Sequence, residues 1–168
     1  MFVDGEDVYV ERAHGPLVLL GSTSGAPRAG EATEVPGRPS RDGKLLLSAG
    51  VIRADLGRVY VSAVDRASND LRFTRELRLG GLVQSIVGLD SDKAGVIYVA
   101  IAIEQGDQTP TVVACLDPAR GQTLGSIAIP TNTSPEESLR ELTVLDDGTI
   151  VLGHRLEEGM SFEGYRCP

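Results

Sequence analysis

Residues 96–103, Val-Ile-Tyr-Val-Ala-Ile-Ala-Ile, are apolar at every position. Successive side chains of an extended strand point to opposite faces, so Val96, Tyr98, Ala100 and Ala102 share one face and Ile97, Val99, Ile101 and Ile103 the other. A sheet with one solvated face alternates apolar with polar residues. This strand does not alternate. It has to be covered from both sides, as happens when one sheet is stacked between two others.

The strand is one of four short apolar runs, 83–89, 96–103, 111–117 and 123–129. Between them lie Asp90–Gly95, a polar loop containing Gly106 and Pro110, and Asp117–Gly121, each a turn signal of the kind that closes hairpins. Four strands and three turns predict one up-down-up-down unit over 83–129. The pattern recurs. Asp55-Leu56-Gly57-Arg58-Val59-Tyr60-Val61 echoes Asp92-Lys93-Ala94-Gly95-Val96-Ile97-Tyr98-Val99, Asp146-Asp147-Gly148-Thr149-Ile150-Val151 is a third copy, and Asp4–Val10 is a weaker fourth. Aligning Tyr9, Tyr60, Tyr98 and Val151 gives spacings of 51, 38 and 53 residues. A propeller blade takes roughly 40–50 residues. The expected fold is therefore all-β, a β-propeller-like array of four-stranded antiparallel blades, about three and a half in number, in one domain spanning 1–168. Radially stacked blades supply the cover that strand 96–103 requires.

The segment 22–43, rich in Gly, Pro, Ser and charge and without apolar periodicity, reads as a long excursion between strands. Ser134-Pro135-Glu136-Glu137 carries an N-cap serine, a proline at the first helical position and a glutamate three after the cap, which predicts a turn or two of helix over 135–141. Strands are expected at Leu142–Leu145 and over Met160 to Cys167.

Of 168 residues, 41% are hydrophobic, enough for one globular core, and the 20 Gly and 9 Pro suit a chain of many turns. The net charge of −8 repels phosphate backbones and anionic membrane surfaces, so nucleic acid is not an expected partner. Basic residues are nearly all Arg, with Lys only at 44 and 93, and form no basic cluster in sequence. No apolar run approaches the roughly 20 residues of a membrane span. Met1–Asp7 is acidic and lacks the basic and apolar regions of a signal peptide. Few Lys and one potential disulfide lean towards a bacterial cell envelope or secreted protein, with the cytoplasm still open.

Chemistry-bearing residues are sparse. Cys115 and Cys167 can form one disulfide that tethers the C-terminus, or stay as two buried thiols. Asp90 and Asp92 are weak metal candidates. A calcium loop of the helix–loop–helix type needs a third acidic ligand and a bidentate Glu, but position 101 is Ile101, so a capped hairpin turn is favoured. His14 and His154 stand apart from the cysteines and from any serine-nucleophile motif. Glu136-Glu137 and Glu157-Glu158 are acidic pairs, explained by a helix N-terminus and a turn. No phosphate-binding glycine loop is present, and no cofactor is expected.

The run Thr111–Pro130, with Val112, Ala114, Leu116, Asp117, Gly121 and Leu124, resembles the third and fourth strands of blades in pyrroloquinoline-quinone-type propellers, and Gly95–Ala100 is similar to their second strand. The resemblance covers about one blade and implies fold more than function. Those blades carry a docking Trp. Here Gly125-Ser126-Ile127 stands in its place and the chain has no Trp, which argues against quinone binding. About three and a half blades are too few to close a ring, and an open array leaves apolar faces wet at its ends. The expected function is a non-catalytic scaffold or protein-interaction domain, working with a protein partner or by self-association through its open terminal blades. The alternative is a carbohydrate or small-ligand binder, and the third reading is a metal-dependent propeller hydrolase or lactonase.

Overall fold

A computed structural model describes residues 2–4, 6–11, 17–25, 34–129, 142–156 and 159–168. Apart from a 3-10 turn at Ala54–Leu56, the regular structure of the described residues is entirely β. Four antiparallel sheets follow one another along the chain. The first contains β1 (Phe2–Asp4), β2 (Asp7–Glu11), β3 (Leu17–Ser22) and β4 (Glu34–Val35). The second contains β5 (Arg38–Pro39), β6 (Leu45–Arg53), β7 (Arg58–Asp65) and β8 (Leu71–Arg78). The third contains β9 (Leu82–Ser91), β10 (Ile97–Glu104), β11 (Thr111–Leu116) and β12 (Thr123–Ile129). The fourth has three strands among the described residues, β13 (Thr143–Val144), β14 (Ile150–Leu156) and β15 (Gly159–Tyr165). Within each sheet the spatial order is the chain order.

The strand that is apolar on both faces is indeed buried on both. Ile97, Val99, Ile101 and Ile103 pack into one core with Leu45, Leu47, Val59, Val61, Ala63 and Phe73 of the second sheet. Tyr98 and Ala100 point the other way and join Val113, Cys115 and Ile129 against Val144 and Ile150 of the fourth. The third sheet is thus stacked between two neighbours. Ile97, Val99 and Ile101 are completely buried, and each such side chain contributes about 1.5–3 kcal/mol of burial free energy.

Successive sheets share turn hydrogen-bond patterns. Between the first and second strands of the second, third and fourth sheets a glycine in the left-handed region closes the hairpin: Gly43 N–H donates to Ser40 O at 2.8 Å, Gly95 N–H to Asp92 O at 3.1 Å and Gly148 N–H to Leu145 O at 3.0 Å. Between the third and fourth strands the second and third sheets share another turn. Asp65 N–H donates to Asp70 O and Asn69 N–H to Asp65 O; Asp117 N–H donates to Gln122 O and Gly121 N–H to Asp117 O, each at 2.8 Å. Each leading aspartate also caps its turn. The Asp65 carboxylate accepts from Ala67 and Ser68 N–H, and that of Asp117 from Ala119 and Arg120 N–H. Gly43 and Gly95 are 52 residues apart, as are Asp65 and Asp117, while Gly95 and Gly148 are 53 apart.

This corrects the sequence alignment. Tyr9, Tyr98 and Val151 lie on the second strands of their sheets, but Tyr60 lies on β7, the third strand of its own. The counterpart of Gly95 is Gly43, inside the stretch expected to be an excursion. That stretch, 22–43, also holds β4 and β5. The expected strand at Leu142–Leu145 is the two-residue β13, and the expected tail strand is β15, ending at Tyr165. The expected helix over 135–141 lies outside the described residues.

Candidate functional site

The first-to-second-strand turns of the second, third and fourth sheets meet at one end of the stack, and Arg41 ties them together. Its position, one residue after Ser40, is matched by Lys93 and Asp146 in the other two turns. Arg41 N–H donates to Ser91 Oγ at 2.7 Å and Nε to Ser91 O at 3.0 Å. Nη1 donates to Asp146 Oδ1 at 2.9 Å, and Nη2 reaches Val144 O at 2.5 Å and Asp90 Oδ2 at 3.3 Å. Lys93 N–H adds a bond to Asp146 O at 3.2 Å, and Arg38 Nη1 donates to Leu89 O at 2.6 Å. The rigid fork of a guanidinium suits this role, because one side chain can satisfy several acceptors on different strands with charge-assisted bonds.

Asp90 and Asp92, the weak metal candidates, fall within this cluster, and both carboxylates are engaged. Asp90 faces Arg41. Asp92 is 5% exposed; its Oδ1 accepts from Val96 N–H and its Oδ2 from the Tyr98 hydroxyl, both at 2.9 Å. Burial first, and then Asp92, push the Tyr98 hydroxyl well above the ordinary tyrosine range. A side chain at Gly148 would come within 2.6 Å of the Tyr98 hydroxyl, so a bare backbone covers the pair. Among the described residues no three His, Cys, Asp or Glu side chains converge in a way that could hold a metal ion. Chemically, the cluster fastens three sheets together.

Cys115 and Cys167, 52 positions apart in sequence, are joined as a disulfide with Cα atoms 6.4 Å apart. His14, Glu136, Glu137, Glu157 and Glu158 lie outside the described residues. His154 is on β14, opposite Ser161 of β15. Sequence reasoning missed Arg41. The signal that could have found it is Ser-Arg-Asp-Gly standing 52 residues before Asp-Lys-Ala-Gly.

Nine of the sixteen basic residues fall within 38–78, so the second sheet is basic in an acidic chain. The alignment of strands gathers what the linear sequence disperses. Carboxylates answer many of these charges: Arg72 pairs with Asp65 at 2.6 Å, and Arg58 and Arg78 share Glu76. An open depression lined by Gly43, Lys44, Asp65, Arg66, Ala67 and Arg72 lies here, with Lys44 bound to Asp42 at 3.0 Å. The Arg72 hydrogen bond, then the turn N–H groups, hold the Asp65 carboxyl down at about 2, and Arg58 followed by Arg78 holds Glu76 at about 2. A carboxylate whose folded pKa lies below its unfolded value of roughly 4 stabilises the fold above pH 4 and loses that contribution as pH falls towards 2. The melting midpoint is therefore expected to fall between pH 5 and pH 2, with a shallower decline in Asp65→Asn. Thermal unfolding followed by circular dichroism across that range measures both.

The far end of the stack is different. Val144, Ile150 and Tyr165 of the fourth sheet face the third. Alternation places Val151, Phe162 and Gly164 on its outward face. Phe162 is 70% exposed there. Compared with known proteins, the chain matches no family and no curated protein.

Proposed function

We propose that this chain is a non-catalytic, propeller-like interaction domain whose sheets are successive blades and whose open end recruits another protein surface. The observation that carries the reading is the contrast between the third sheet, covered on both faces, and the fourth, whose outer face displays Phe162 at 70% exposure. In a stack of similar sheets such a face is the place where the next one would sit. Supporting the radial arrangement, the first strands β5, β9 and β13 are tied to one another through Arg38 and Arg41, and matching turns recur every 52–53 residues.

Light scattering coupled to size exclusion tests the reading. The purified chain at tens of micromolar is expected to run above its monomer mass, and Phe162→Glu to return it to monomer with an unchanged far-ultraviolet spectrum. A wild-type chain that stays monomeric and fully stable at high concentration counts against it.

A further inference from the structure

Among the described residues β15 pairs with β14 on one side and with no strand on the other. It contains Gly159 and Gly164, and Phe162, Glu163 and Gly164 are exposed. Tyr165 anchors its end against the third sheet. Two residues later Cys167 is bonded to Cys115, and Pro168 lies against the backbone of Gly125, within 2.8 Å of where a Cβ would stand. The two sulfurs live in different surroundings. Cys115 is completely buried in the middle of the third sheet, whereas Cys167, two residues after β15, is half-buried against the same cluster.

We propose that Cys115–Cys167 is a redox latch that holds the terminal strand on the third sheet when oxidised and releases it when reduced. Thiol–disulfide exchange with a dithiol reductant supplies the chemistry. A reductant thiolate attacks the sulfur of Cys167, the less buried of the two residues. The S–S bond breaks, the electron pair leaves on the Cys115 sulfur and is protonated, and the reductant's second thiolate resolves the mixed disulfide. The products are two protein thiols and one oxidised reductant. Freed of the bond, residues 159–168 keep the β14 ladder, the Tyr165 contact, the packing of Pro168 on Gly125 and the exposed Arg166–Asp147 ion pair. The latch acts on β15, the strand that also carries Phe162, but the observations behind it do not require a partner on that face.

Hydrogen exchange followed by mass spectrometry tests this on the whole chain in three forms: air-oxidised, reduced with dithiothreitol, and Cys167→Ser, which alters the less buried partner and spares the fully buried one. Intact mass of the oxidised form is expected to show the loss of two hydrogens. Reduction and Cys167→Ser are each expected to accelerate exchange over 159–168 by about ten-fold or more, while amides of 97–101 keep their protection. Two free thiols in the oxidised form would overturn the latch. So would unchanged exchange over 159–168, and so would protection lost across the whole third sheet, which would mark a general staple.

Discussion

Gly121→Ala is expected to destabilise the fold by about 2–4 kcal/mol. Two costs combine at this position. Gly121 has φ +65°, in the left-handed region where an L-residue is disfavoured by about 1–2 kcal/mol. Its missing Cβ also leaves the space in which the Phe73 ring sits. An added carbon would stand 2.4 Å from that ring and 2.7 Å from Arg75 Cγ. Phe73 is 7% exposed and belongs to the core between the second and third sheets, so the ring has little room to withdraw; overpacking of this kind costs roughly 1–3 kcal/mol. Urea denaturation of Gly121→Ala, Phe73→Ala and the double variant separates the two costs, because the clash is absent from the double variant and the backbone strain is not. A loss below about 1 kcal/mol in the single glycine variant would show that the turn tolerates a side chain. At the matching place in the second sheet, 52 residues earlier, Asn69 takes φ +62°, as the one non-glycine residue besides aspartate that enters this region readily.

Ile97→Ala is expected to cost about 2–5 kcal/mol, and Ile97→Val about 0.5–1.5 kcal/mol. Ile97 is fully buried at the start of β10, against the second sheet, and its sheet is closed in on the other face as well. Relaxation into the resulting cavity would have to move strands already packed on both sides, which places the alanine variant towards the upper part of that range. Phe162→Ala, on an exposed face, is expected to stay within about 0.5 kcal/mol of wild type. Equal losses at the two positions would contradict the description of the third sheet as the doubly covered layer.

The sequence made the third sheet legible because composition there forces a single answer: an all-apolar strand cannot face water, and Asp117-Pro118-Ala119-Arg120-Gly121 can hardly be anything but a turn. It misled on the second sheet. Gly57-Arg58-Val59-Tyr60-Val61 and Gly95-Val96-Ile97-Tyr98-Val99 look alike because both follow a glycine and both are buried, yet one opens a third strand and the other a second. Strand residues report burial, which many strands share, while turn residues report position in the unit. The informative comparison was Asp65 with Asp117, hidden because asparagine stands in for glycine at 69. The first turn of the second sheet, Ser40-Arg41-Asp42-Gly43, was masked by the glycine- and proline-rich stretch around it. Arg41 escaped notice for a related reason. Its importance comes from carbonyls and carboxylates more than 45 residues away in sequence, and no local pattern announces them.

Every ladder in the described structure joins strands that are consecutive in the chain. Few residues have to be searched through before each hairpin can zip, so the entropic toll of loop closure is met in small instalments. What remains is the docking of finished hairpins onto one another, and among the described residues the third sheet contributes to both core clusters. Folding of such an array spreads between nearest neighbours, as along a row of dominoes. The third sheet is the piece from which the row can run both ways.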